Sequence, residues 1–202
     1  SFDITPYLKK SGKQTIRLKV QDATDNGFQP RGKQCIINTG IWYTPVSGIW
    51  QTVWIEPVAS AHIENYYVVS DIDNGTMTVE VDASTIEGDV VKVAVLEGGQ
   101  GYNAENPSTK VIAEARVQNG KAEIKIDDVK TWSPDSPYLY GISLTVTRDG
   151  KVVDTVNGYT AMRKISVVKD KTLNAYHRMA LNNEPLFQFG PLDQGWWPDG
   201  LY

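Results

Sequence analysis

The sequence predicts an all-β protein, and three observations carry that expectation. Apolar and polar residues alternate over short runs, turn dipeptides punctuate the chain about every ten residues, and no apolar period of 3.6 is sustained. About seven strands fit between Val58 and Val168, the size of an immunoglobulin-like β-sandwich.

The elements follow in chain order. Ile16, Leu18 and Val20 alternate with Arg17 and Lys19, the pattern of a strand with one buried face. Glu56-Pro57-Val58 marks a boundary, because proline cannot donate to a ladder and the alternation restarts after it. Asp73-Asn74-Gly75 predicts a hairpin turn ahead of Met77, Val79 and Val81, which alternate with Thr78 and Glu80. Asn119-Gly120 predicts another ahead of Ala122, Ile124 and Ile126, spaced by Glu123 and Lys125. Asp149-Gly150 lies between Ile142, Leu144, Val146 and Val152, Val153, which predicts a hairpin there too. Beyond the polar Lys169-Asp170-Lys171, the run Met179 to Phe187 reads as a small hairpin turning at Asn182-Asn183-Glu184-Pro185. The tail from Gln188 to Pro198 is apolar and rich in glycine and proline; its paired Trp196 and Trp197 are surface of the kind that normally faces a partner.

Composition excludes several classes. The 202 residues are 41% apolar, enough for a sizeable core. A net charge of -4 offers no basic footprint, so nucleic acid and anionic membrane are not expected partners. The single Cys35 rules out an internal disulfide framework and a cysteine-based zinc site. With only His62 and His177 there is little material for a Ser-His-Asp triad or a histidine-rich metal site. No apolar run approaches the ~20 residues that span a bilayer, and Ser1 to Pro6 lacks the features of a signal peptide, so the start reads as cut. The six tryptophans and ten tyrosines suit sugar stacking, but the strand propensity of aromatic residues favours reading them as β-sandwich core.

Three segments together resemble glycoside hydrolase family 2, the β-galactosidases, β-mannosidases and β-glucuronidases. Phe2 to Leu8 with Ile16 to Val20 is similar to the late part of that family's N-terminal jelly roll, and Ser47-Gly48-Ile49-Trp50-Gln51-Thr52-Val53-Trp54 to its final strand. Trp132-Ser133-Pro134-Asp135-Ser136-Pro137-Tyr138-Leu139-Tyr140 resembles the signature of its central sandwich. Met162-Arg163-Lys164-Ile165 and Leu181-Asn182-Asn183-Glu184-Pro185-Leu186 resemble the entry into its catalytic barrel. The resemblance implies residues 1–57 as the C-terminal part of a jelly-roll sugar-binding domain, 58–168 as the sandwich, and 169–202 as linker, hairpin and first strand, near Leu186 to Phe189, of a (β/α)8 barrel. A whole barrel takes about 250 residues.

It follows from the resemblance that both catalytic carboxylates lie on barrel segments outside this chain. Asn183-Glu184 matches the family's Asn-Glu acid/base pair only superficially, because its context is the barrel-entry hairpin. Asp22 has two readings: a jelly-roll aspartate that reaches the sugar site, as in some β-galactosidases, or a turn cap. Asp25 reads as a turn cap. Arg31 would clamp a substrate acid group or form a structural salt bridge. Where β-galactosidase-like members carry an Arg-Gly-x-Asn segment, this chain has Phe189-Gly190-Pro191-Leu192-Asp193-Gln194. That departure leaves the sugar open, and by position alone Asp193 and Trp196 line a different subsite.

The expected function is therefore the scaffolding region of a retaining glycosidase that hydrolyses terminal β-glycosides, inert alone, its partners being the carbohydrate substrate and the barrel domain. No cofactor is expected, although a monovalent cation beside Asp22 suits an intact enzyme. With jelly-roll strands lacking neighbours, the first segment is expected to pair with another copy or to pack irregularly. The alternatives are a stand-alone carbohydrate-binding module that stacks sugar on Trp42, Trp50, Trp132 or Tyr138, and an immunoglobulin-like spacer.

Overall fold

The computed structural model describes residues 1–49, 51–98, 110–170 and 176–193. The chain forms two compact units, Glu56–Gly190 and Ser1–Ile55 with Pro191–Tyr202.

The larger unit is built on seven antiparallel strands. They are β1 (His62–Asp71), β2 (Thr76–Ser84), β3 (Val90–Leu96), β4 (Val111–Arg116), β5 (Lys121–Lys125), β6 (Tyr140–Arg148) and β7 (Lys151–Thr160). One sheet has the order β1-β2-β5 and the other β4-β3-β6-β7, which is an immunoglobulin-like sandwich. The period-2 alternation sends one face of each strand inward: Met77, Val79, Val93, Val95, Ile142, Leu144 and Val146 are all 0% exposed. Register stacks these residues in rows, with Val79 opposite Ala122 on one sheet and Val93 opposite Leu144 on the other. The expected sandwich and its strands are thus present.

Turn chemistry behaved differently at each site. Asp149-Gly150 forms the expected two-residue turn, both residues left-handed at φ 51° and 75°. Asn119-Gly120 has the same geometry (φ 51° and 75°) and closes a local Gln118–Lys121 bridge, but the strands it joins, β4 and β5, belong to opposite sheets. The expected turn at Asp73-Asn74-Gly75 is instead a four-residue loop, because Asp71 pairs with Thr76 and its carboxylate accepts the backbone N–H groups of Asp73 and Asn74.

A third sheet, β10-β9-β8, completes the unit with β8 (Ile165–Lys169), β9 (His177–Leu181) and β10 (Glu184–Pro185). Its turn is Asn182-Asn183 alone (φ 52° and 72°), and Glu184 and Pro185 are paired in β10 rather than turning. Asparagine tolerates the left-handed region twice in succession, so two residues suffice. Past Pro185 the Leu186 N–H reaches back to the Met179 carbonyl, and Phe187 and Phe189 are exposed; Leu186 to Phe189 form no strand within the described residues.

In the smaller unit the described residues contain a 3₁₀ turn at Thr5–Tyr7 and a single parallel bridge, Gln34 to Tyr43. Neither Ile16–Val20 nor the described part of 47–54 is a strand, and Ile16, Leu18 and Val20 are all more than half exposed. Alternation marks a segment that can pair; without a neighbouring ladder it stays extended coil.

Ends of the sandwich are pinned by polar groups. Asp89, its side chain 1% exposed, accepts Arg148 Nε and Nη2 at 2.7 Å each and the Ile86 N–H at 2.9 Å. The Arg148 hydrogen bonds, then the Ile86 N–H, hold the Asp89 carboxyl at about 2, against an ordinary 3.8. A lowered carboxyl stabilises the fold above its ordinary pKa, and that contribution is lost as pH falls through the folded value. The melting temperature is therefore expected to drop between pH 4 and pH 2. Asp89→Asn should flatten part of that drop in a calorimetric pH series, and an unchanged slope would refute the assignment.

Candidate functional site

The sequence-predicted site residues Asp22 and Arg31 sit in one self-tied loop of the smaller unit. Asp22 Oδ1 accepts the Thr24 N–H at 2.7 Å and Oδ2 accepts the Ser47 hydroxyl at 2.5 Å, and these donors hold its exposed carboxyl below the usual range. The turn-capping reading of Asp22 is thus realised locally, and Ser47 adds a tie across 25 residues. Asp25 does not cap its own turn. It spans the loop, its carboxylate accepting the Ile36 N–H at 3.1 Å and its carbonyl accepting Arg31 Nη1 at 3.1 Å.

Of the two readings of Arg31, the salt bridge is not formed among the described residues. Its guanidinium donates to a backbone carbonyl and lies 5.8 Å from the Trp42 ring centroid, a cation–π distance, with no carboxylate ion pair among the described residues. Gln29 Nε2 donates to the Thr24 and Asn26 carbonyls, and Gln34 Oε1 accepts the Val46 N–H at 2.9 Å. Side-chain amides and carboxylates replace the missing ladder as the loop's internal partners. The sequence signal missed here is Ser47, a lone serine before a glycine whose partner lies far away in the chain. Asp193 is exposed, and Trp196 and Trp50 lie outside the described residues.

Three of the four rings named for the alternative reading have side-chain neighbours in the structure. Trp132 is half-buried with the Arg163 guanidinium 5.1 Å from its ring centroid, and Tyr138 meets Tyr140 edge-on at 5.0 Å with Lys130 5.2 Å from its own centroid. Trp42 carries Arg31. In each of these rings the cation occupies one of the two faces.

Carboxyl chemistry points the same way. Asp3, Asp22, Asp71, Asp73, Asp89 and Glu97 are all displaced downward, in each case chiefly by hydrogen-bond donors. A glycosidase's general acid needs the opposite displacement. Glu184 is exposed on β10.

The second and third of the segments that carried the family resemblance meet in space. Trp132 N–H donates to the Met162 carbonyl at 2.9 Å, and Asn182 Nδ2 donates to the Trp132 carbonyl at 2.9 Å. Asn182 Oδ1 accepts the Lys164 N–H at 3.0 Å, while its own N–H donates to the Lys164 carbonyl at 2.8 Å. Residues 61–163, which contain β1 to β7 and half of this joint, match the sequence profile described as Glycosyl hydrolases family 2.

The chain belongs to that family. Among its relatives, the family 2 chain is 23% identical over 192 residues to the "Beta-galactosidase" of Thermoanaerobacter pseudethanolicus, covering 92% of this chain and 24% of the relative. It is 25% identical over 189 residues to "Beta-galactosidase BoGH2A" of Bacteroides ovatus, covering 86% of this chain and 20% of the relative. A solved β-glucuronidase of Ruminococcus gnavus aligns with TM-score 0.48 and 21% identity, over 64% of this chain and 19% of its own. The chain spans about a quarter or less of the length of the relatives it matches.

Proposed function

We propose that this chain is the scaffolding portion of a retaining family 2 glycosidase that removes terminal β-glycosides, and that it has no hydrolytic activity of its own. The observation that carries the reading is the family match over 61–163, which coincides with the seven-stranded sandwich. Retaining hydrolysis needs two carboxyls about 5–5.5 Å apart, one kept protonated. The downward displacement of Asp3, Asp22, Asp71, Asp73, Asp89 and Glu97 suits these six to ionised roles and not to that of a protonated acid.

Asp22, Arg31, Asp193 and Trp196 are the residues through which this portion would touch sugar in that enzyme. Asp22 would act as an ionised acceptor, since Ser47 and Thr24 already stabilise its charge. The domain division 1–57, 58–168 and 169–202 belongs to the same proposal. Purified 202-residue chain is expected to release no aglycone from a panel of aryl β-glycosides, and turnover by it would refute the proposal. The partner proposed for this portion is the barrel domain. Without it, the exposed Phe2, Ile16, Leu18 and Trp54 of the smaller unit should drive self-association; a monodisperse monomer by light scattering would count against that.

A further inference from the structure

We propose that Asn182 is a positioning residue, locking the β8–β10 sheet onto the sandwich and so fixing the direction in which the chain leaves at Leu186. Two sets of contacts define the joint. On one side Asn182 clamps Lys164 by both its N–H and its Oδ1, and reaches the Trp132 carbonyl through Nδ2. Trp132 is in turn tied to Met162, which is 0% exposed, and Thr131 bridges Met162. On the other side Asp73, in the β1–β2 loop, accepts Lys164 Nζ and, at 2.7 Å, Asn183 Nδ2, while the Ser70 hydroxyl donates to the Arg163 carbonyl at 3.1 Å.

Each side of the joint draws on a different sandwich loop, so the small sheet is held at two separated points. Two fixed points remove the rotation that one would allow. Asn182 is the member that no other residue type replaces: its backbone is left-handed (φ 52°), its oxygen is an acceptor and its nitrogen a donor. Its side-chain donor serves the sandwich and its acceptor serves the strand entering the sheet. The joint itself does not depend on the glycosidase reading; only its consequence, the aim of the chain toward a barrel, rests on that reading.

Amide hydrogen exchange on the 202-residue chain tests the joint independently of any enzyme activity. Asn182→Gly keeps the left-handed backbone and removes the amide; Asn182→Asp is isosteric and loses only the donor at neutral pH. Both are expected to reduce protection of the Ser166 and Ala180 amides, which face each other across the β8–β9 ladder, by roughly tenfold or more at pH 7, with protection of β6 unchanged. At pH 4 and below, Asn182→Asp should recover as its carboxyl protonates and can donate to the Trp132 carbonyl. Asp73, its own carboxyl lowered by Lys164 and Asn183, stays competent further into acid than an ordinary aspartate. Unchanged β8–β9 protection in both variants would overturn the proposal. So would equal losses in β6 and β9, or no recovery of the aspartate variant in acid.

Discussion

Tyr140→Ala is expected to lower the stability of the larger unit by about 3–5 kcal/mol, the cost of emptying a large buried aromatic site. Tyr140 opens β6, is 1% exposed, and packs edge-on against Tyr138 with centroids 5.0 Å apart. Its hydroxyl accepts the Lys130 N–H at 2.7 Å, ten residues upstream, in the manner of the tyrosine corner of immunoglobulin-like sandwiches. Burial raises the hydroxyl's pKa, so it remains a neutral phenol throughout the working range. Tyr140→Phe keeps the ring and strands the Lys130 N–H, and should cost about 1–3 kcal/mol. Urea denaturation of the two variants separates ring from hydroxyl. A phenylalanine variant as stable as wild type would show that the corner hydrogen bond has no structural role.

Gly158→Ala is expected to cost about 1–3 kcal/mol by overpacking. A methyl group at Gly158 would fall far inside van der Waals contact of the Tyr66 hydroxyl and 3.2 Å from its Cζ. The position matters because β1 and β7 are the facing edges of the two sheets. There the sandwich closes through Tyr66 over Gly158 and through Asp154, whose carboxylate accepts the Ile63 N–H at 2.8 Å. Tyr66 is half-buried, so its ring has limited room to retreat. In a double-mutant cycle Tyr66→Phe should return most of the loss by removing the clashing oxygen. Purely additive effects of the two substitutions would disprove the steric account.

Much of the sandwich was legible along the chain. Met77, Val79 and Val81, then Ala122 and Ile124, then Ile142, Leu144 and Val146, announce strands because a residue's face is set by its parity in the chain. Ile16, Leu18 and Val20 have the same parity and no strand, since a ladder needs a second segment that parity does not name. Asn119-Gly120 shows the same limit. Its dihedrals are a local property, whereas the sheet each flanking strand joins is chosen by burial on both sides.

The candidate site divides along similar lines. An aspartate two residues before Thr24 predicts an Asx-type cap, and Asp22 makes one. Nothing local to Arg31 predicts that its partners would be the Asp25 carbonyl and the Trp42 ring. Nor does any local pattern assign three hydrogen-bonding tasks to Asn182, whose partners lie 18 and 50 residues away.

Short-range order was therefore written in the residues alone: strand parity, the left-handed turn at Asp149-Gly150, and family membership through motifs that keep their spacing. Which strands share a sheet, which edges meet at Tyr66 and Gly158, and how Trp132 and Lys164 converge on Asn182 emerged only with the folded chain. Those choices depend on burying apolar faces and satisfying buried polar groups across long loops, and both are properties of the assembled interior.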